Sequence, residues 1–374
     1  MACSTRRWYW RGSPGWRRRR SICWWHCANY EPGSRAFMGA DEMETRVYGR
    51  TGMNISILGF GCGAVGGLMV RGAAADQERA AGRALDVGIN YFDTAVQYGD
   101  GASETNLGRV WKSLKPKNAF VGTKVRIPPE SFGRIAATVT ESLDGSLGRL
   151  GMDHVDIFHL HNAITVNGGG ASLTAAQVLN EVVPAFDALR KAGKTRFLGI
   201  TAVGDTAALH QVIDSEKFDS AQISYNMLNP SPAGPLPAGY PAQDYGRIFD
   251  HTQKSGVGVV GIRVIAGGAL SGSDQRHPIA SAPPAPIGTA ETYEGDLARA
   301  RRLMPLATEG FASSLPEAAI RFAIAHPAMG TILVGMATVQ EFEDGLAAVL
   351  KGPMPMAAMA RLAELRTGFN GESR

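Results

Sequence analysis

The stretch "GINYFDTAVQYGDGASE", residues 88–104, decides how this chain is read. An apolar run ends on an acid, Asp93, and five residues later a tyrosine, Tyr98, lies among glycines. One reading makes Asp93 a helix cap and Tyr98 a surface aromatic. The other makes them two members of a proton-transfer site at the end of a buried strand. The surrounding pattern chooses between them.

Outward from this stretch, strand-like and helix-like segments alternate. Strands are expected at 55–61, 89–93, 118–125, 155–161, 195–201, 220–226, 257–264 and 330–335. Helices are expected at 76–88, 103–114, 129–150, 173–193, 205–215 and 241–255, near 296–310 and 315–326, and at 338–349. Asp76 and Ser103 are the expected N-caps of the first two, and Gly88 lies just past the end of the first. The strands are continuous apolar runs, as parallel strands covered on both faces are. Eight β-then-α units predict an α/β fold, a closed (β/α)8 TIM barrel, with segments 266–295 and 350–374 as an added loop and a C-terminal helical extension. Residues 43–374 are read as a single domain.

A decoy lies upstream. "GCGAVG" (61–66) fits the G-x-G-x-x-G spacing, but a dinucleotide fingerprint needs its third glycine to open a helix and an acid about 20 residues on. Here "GLMVRGAAA" intervenes before any helix signal, so the segment reads as a glycine-rich turn at the barrel mouth.

The charge balance belongs to the first 42 residues. They hold eight arginines and three acids; removing these from 38 basic and 34 acidic residues leaves 30 and 31, a balance of −1. The remainder carries no basic footprint for nucleic acid. No window approaches the length of a membrane span. Three of the four cysteines also lie in this segment, leaving Cys62 alone and pointing to a reducing compartment, the cytoplasm. Residues 1–42 contain five of the six tryptophans and no periodic apolar face, and are expected to be disordered. They fit an untranslated upstream stretch, with a start at Met38 or Met43; their arginines alone fit a transit peptide.

In such a barrel the C-terminal strand ends meet at one face, where chemistry sits. Strand two ends at Asp93, strand three at Lys124, strand four at His161, and Tyr98 follows Asp93 in a loop. A phenol ionises only near pH 10. An ammonium beside it stabilises the phenolate, and a buried carboxylate keeps that ammonium charged. His161 is placed to orient a carbonyl oxygen that Tyr98 protonates. No metal-ligand spacing accompanies the set.

On "FDTAVQYGDGASETNLGR", "GTKV" and "VDIFHLHN", the chain resembles the aldo-keto reductase superfamily over roughly residues 43–350. The resemblance implies the barrel and the tetrad Asp93, Tyr98, Lys124 and His161. It also implies a nicotinamide cofactor across the C-terminal face, bound without a Rossmann motif, and a carbonyl or alcohol substrate. Gln222 matches the residue that holds the nicotinamide carboxamide. The family's Ser-Asn pair reads Thr201-Ala202 here. At the aromatic that stacks on the nicotinamide stands Ile262 or Arg263; Arg263 is expected on the ring, at the diphosphate or in a salt bridge. Backbone amides from Ala266 to Gly272, Gly268 and Leu270 among them, are expected to cradle the diphosphate. Around Thr338, NADP-dependent members present cations where this chain has Gly335 and Glu341, which leans the cofactor from NADP towards NAD.

The resulting expectation is an NAD(P)-dependent oxidoreductase acting on an aldehyde or ketone, or on the matching alcohol or sugar. A cofactor-binding redox sensor with little turnover is the alternative. A Schiff-base enzyme using Lys124 stands third. Substrate, direction and oligomeric state are left open.

Overall fold

The structure is a computed structural model that describes residues 43–372. The reading of residues 1–42 lies outside the described residues.

Eight parallel strands close into a barrel: β1 (Leu58–Gly61), β2 (Tyr91–Asp93), β3 (Phe120–Val125), β4 (Val155–Leu160), β5 (Thr195–Thr201), β6 (Ser220–Ser224), β7 (Gly258–Ile262) and β8 (Met329–Val334). Each strand pairs with its sequence neighbours, and β8 closes onto β1. Around them pack α1 (Ala74–Asp86), α2 (Ala102–Leu114), α3 (Ile135–Leu150), α4 (Val183–Lys191), α5 (Thr206–Asp214), α6 (Ile248–Lys254), α7 (Leu315–Ala323) and α8 (Val339–Leu350). A further helix, Met356–Thr367, forms the expected extension, and the β7–α7 segment adds Tyr293–Arg301 and Pro305–Thr308. The (β/α)8 expectation is borne out. Among the described residues no helix is long and apolar enough to cross a membrane.

The differences are local and have physical causes. Expected strand 55–61 is two strands. Asn54–Ser56 pairs antiparallel with Thr45–Val47, and only Leu58–Gly61 enters the barrel. The expected helix 173–193 carries a wide turn at Val178–Val182, immediately before Pro184, which has no N–H to continue the α ladder. The expected helix 241–255 is helical only from Ile248, because Asn229 and Ser231 grip the backbone of Gln243 and Tyr245. Asp76 lies in the first turn of α1 rather than at its cap, Ala73. Ser103 does not cap α2; its hydroxyl donates to the Cys62 carbonyl and pairs with Thr94. Gly88 follows α1 with φ 85°, as expected.

One apolar layer lies between strands and helices; a smaller one, with Tyr48, Met53, Ile55, Tyr91, Ile157 and Val260, fills the barrel itself. The N-terminal ribbon plugs the bottom with Tyr48, whose hydroxyl meets Ser220 Oγ at 2.6 Å. The ring fits because two adjacent strands give up their side chains there. A Cβ built on Gly258 or on Gly330 would lie 2.6 Å from it. Gly258→Ala should therefore destabilise the protein by about 1–3 kcal/mol through overpacking. A lower urea midpoint with an unchanged slope is the expected result.

Candidate active site

The ends of β2 and β3 fix the centre of the site. Asp93 is the last residue of β2 and its register partner is Gly122; Lys124 lies two residues beyond Gly122 on β3. Side chains two apart on a strand share a face. Lys124 Nζ forms a short ion pair with Asp93 Oδ1, donates to the Thr94 carbonyl at 2.8 Å, and reaches the Tyr98 hydroxyl at 3.2 Å. Its nitrogen also stands 4.7 Å from the Tyr98 ring centroid.

Lys124 is fully buried. Burial alone would strip its proton, but the charge of Asp93, then Tyr98 and the bonds to both, raises its pKa above the usual value. The amine is therefore an ammonium at neutral pH, within hydrogen-bond reach of the phenol.

Asp93 Oδ2 is held separately, by Gln222 Nε2 at 2.6 Å and by the Tyr91 hydroxyl at 3.0 Å. Thr201 Oγ1 lies 3.5 Å from the Gln222 amide oxygen. Tyr98 is carried by the turn after β2. Its amide donates to Ala95 O, and its carbonyl accepts from Ser103 N at the start of α2.

His161 follows β4, anchored by its amide to Val125 O at 2.7 Å. Its ring stands edge-on to Tyr98, with centroids 6.0 Å apart. Burial, then Lys124 and Arg126, lower its pKa from 6.5 to about 3, so the imidazole is neutral and carries one N–H. Gln97 Oε1 lies 3.2 Å from Nδ1 and selects the tautomer. An amide oxygen there holds the proton on Nδ1. The rotated amide frees Nε2–H to donate elsewhere. His159 does not belong to this face; it is buried lower in the barrel against Ser220, at 2.9 Å.

The remaining expected residues fall into two groups. Arg263 follows β7 with φ 56°, and its half-buried guanidinium makes no hydrogen bond or ion pair among the described residues. The expected salt bridge is therefore absent there. Burial lowers its pKa, opposed by Tyr98 and then Asp296. In the following turn the amides of Gly268 and Leu270 both point to Ile265 O, at 2.9 and 3.2 Å, and the Leu270 side chain is core. Gly335, Thr338 and Glu341 form a second group after β8. Thr338 caps α8 by accepting from Glu341 N, and Glu341 accepts from Ala337 N at 2.6 Å. Among the described residues no hydrogen bond joins this group to the tetrad.

Sequence reasoning missed Tyr91, although its place two residues before Asp93 puts both side chains on the same face. It also missed Gln97, for which no local signal exists. Arg71 is neither free nor paired with an acid; it straps the β1 loop to the β7 segment through Ala64 O and Ile279 O.

The site is thus a buried carboxylate–ammonium pair next to a phenol, at one end of a closed parallel barrel. The sequence profile of the Aldo/keto reductase family matches residues 57–367, and the chain belongs to that family. It is an oxidoreductase. It is 28% identical over 319 residues to L-galactose dehydrogenase of Arabidopsis thaliana, covering 82% of this chain and 88% of the relative. It is 26% identical over 352 residues to pyridoxal 4-dehydrogenase of Microbacterium luteolum, covering 81% and 92%. The holo form of aldo-keto reductase AKR11C1 from Bacillus halodurans superposes with a TM-score of 0.64 at 22% identity, over 89% of this chain and 98% of that one, a likeness of fold.

The His161 shift has a sign that can be checked. Between about pH 3 and 6.5 the unfolded histidine binds a proton that the folded one refuses. Its contribution to stability is full above 6.5 and lost as pH falls towards 3. His161→Gln should flatten the acid-side slope of unfolding free energy in that window, measured by urea titrations at a series of pH values.

Proposed function

We propose that the protein interconverts an aldehyde or ketone and the matching alcohol, with Tyr98 as general acid and base and a nicotinamide dinucleotide as hydride partner. The observation that carries this reading is Lys124 Nζ, paired with Asp93, at 3.2 Å from the Tyr98 hydroxyl. Tyr98 gives its proton to the carbonyl oxygen as negative charge gathers there, and Lys124 stabilises the phenolate left behind. In the reverse direction the phenolate takes the alcohol proton. With the Gln97 amide turned so that its nitrogen donates to Nδ1, neutral His161 orients the oxygen through Nε2–H. The protonated, carboxylate-bound Lys124 disfavours a Schiff-base reading, which needs a free amine.

The residues present suit the cofactor. The Gln222 amide donates to Asp93, and the Thr201 hydroxyl lies against the Gln222 amide oxygen. Arg263 offers a cation that pairs with no anion among the described residues, next to a turn in which Gly267 and Gly268 have φ 67° and 110°. The space at Gly267 is already taken, since a Cβ there would lie 2.7 Å from Pro284. When bound, the nicotinamide supplies or accepts the hydride. Gln222 and Thr201 would hold its carboxamide end, Arg263 its diphosphate, and the Gly335–Thr338–Glu341 corner its adenosine; the expected cradle of backbone amides is not free to do so, because Ala266, Gly268, Leu270 and Gly272 spend their N–H groups inside the turn.

Glu341 tips the choice to NAD. A carboxylate already at the α8 N-terminus repels a ribose phosphate and accepts from a free hydroxyl. The only free cysteine among the described residues, Cys62, is buried, which suits a reducing compartment such as the cytoplasm.

Two outcomes follow. Tyr98→Phe should lower kcat by a factor on the order of 10³ while retaining cofactor binding; a near-normal rate would overturn the assignment. In fluorescence titrations NADH should bind more tightly than NADPH, and Glu341→Arg should improve NADPH affinity about tenfold. Equal affinities in both proteins would remove Glu341 from the choice.

A further inference from the structure

The carboxylate of Asp93 has two oxygens and three donors. Oδ1 takes Lys124, while Oδ2 takes Gln222 and the Tyr91 hydroxyl. Tyr91 is fully buried inside the barrel. Both neighbouring strands make room for it. A Cβ on Gly59 of β1 would lie 3.1 Å from the ring, and one on Gly122 of β3 would lie 2.5 Å from the hydroxyl oxygen. Gly122 is also the register partner of Asp93. A phenylalanine would fill most of this slot, but the hydroxyl needs the opening at Gly122 most, since the nearest ring atoms would lie 3.2 and 3.3 Å from that Cβ. Burial, then Asp93, push the Tyr91 phenol well above its usual value, so it stays a donor throughout the working pH range.

We propose that Tyr91 is a positioning residue for the proton donor: by donating to Asp93 Oδ2, its hydroxyl sets how much of the Lys124 charge is left for the Tyr98 phenolate. This rests on the reading of Tyr98 as general acid. A carboxylate divides its negative charge among its donors. A neutral donor on Oδ2 draws part of that charge away from Lys124, and the ammonium then acts more strongly on Tyr98. Without the hydroxyl, Asp93 neutralises more of Lys124, and Tyr98 releases its proton at higher pH. The simpler role, a buried hydroxyl that merely finds a partner, predicts lower stability and no change at Tyr98.

The test is a titration of phenolate absorbance in which each protein is read against its own Tyr98→Phe partner, so that only Tyr98 contributes. Tyr91→Phe should raise the midpoint by about half a pH unit or more, and lower kcat for alcohol oxidation near neutral pH by about threefold with KM little changed. An unmoved midpoint in a folded Tyr91→Phe protein overturns the proposal. If that variant does not fold, a ring-fluorinated tyrosine at position 91 keeps the shape and donates more strongly. Its midpoint should fall, and an unmoved one is equally fatal. The titration needs no turnover, so it is separate from the general-acid reading, which fails instead if Tyr98→Phe turns over normally.

Discussion

The buried pair between Lys124 and Asp93 is the constraint on which the site depends. An ammonium with no exposure survives in a protein interior only if its charge is met and its protons are accepted. Here the acceptors come from one carboxylate, one carbonyl and one phenol, all carried by β2 and the turn after it. The partner carboxylate is in turn held from β6, across the barrel. Closing the sheet is therefore what completes the pair. Buried ion pairs rarely give more stability than well-packed apolar residues would. Their retention is more easily explained by what the charge does, and this one is aimed at a hydroxyl facing the mouth.

Accommodating polar groups inside a barrel costs space, and the chain yields it with glycine. Gly258 and Gly330 open a slot for Tyr48, Gly122 for the Tyr91 hydroxyl, and Gly199 for His159, whose ring would lie 2.2 Å from a Cβ there. In each case the glycine lies on a strand facing a bulky side chain that ends in a polar atom. The polar atoms then pair within the barrel, Tyr48 and His159 on Ser220 below and Tyr91 on Asp93 above. The interior thus sets two groups of paired polar atoms among the apolar side chains that fill the barrel.

Much of this was legible in the chain. Continuous apolar runs separated by helical periodicity placed all eight barrel strands, and the chemistry at three successive strand ends picked out Asp93, Lys124 and His161. What was not legible depends on contacts made only after folding. The grip of Asn229 and Ser231 on residues 243–245 shortens α6 from a distance. Ser103 leaves its cap because the Thr94 hydroxyl and, from the preceding unit, the Cys62 carbonyl offer partners. Gln222 was identified by resemblance, but nothing local announces that its amide reaches Asp93, 129 residues away. Tyr91 is the exception: it was missed, although the two-residue period of a strand is enough to place it beside Asp93.

The turn after β7 shows why local rules fail where function is expected. Strand β7 stops at Ile262, short of the apolar run, because Arg263 turns to φ 56°, and Ala266 follows at 48°. For residues with a side chain this conformation costs about 1–2 kcal/mol each. The chain continues with Gly267 and Gly268, which adopt positive φ freely, so the strain at Arg263 and Ala266 is not forced by a lack of glycine. Strain of this kind persists where surrounding contacts fix it and something is gained. One fixing contact is the bond from Asn226 Nδ2 to the Arg263 carbonyl, at 2.9 Å. Its effect is to hold a guanidinium that pairs with no anion among the described residues on the side of Tyr98, while Glu341 places a carboxylate at the start of α8. On the reading proposed here, the two charges meet successive parts of one dinucleotide: the cation its central diphosphate, the anion the hydroxyl of its adenosine ribose.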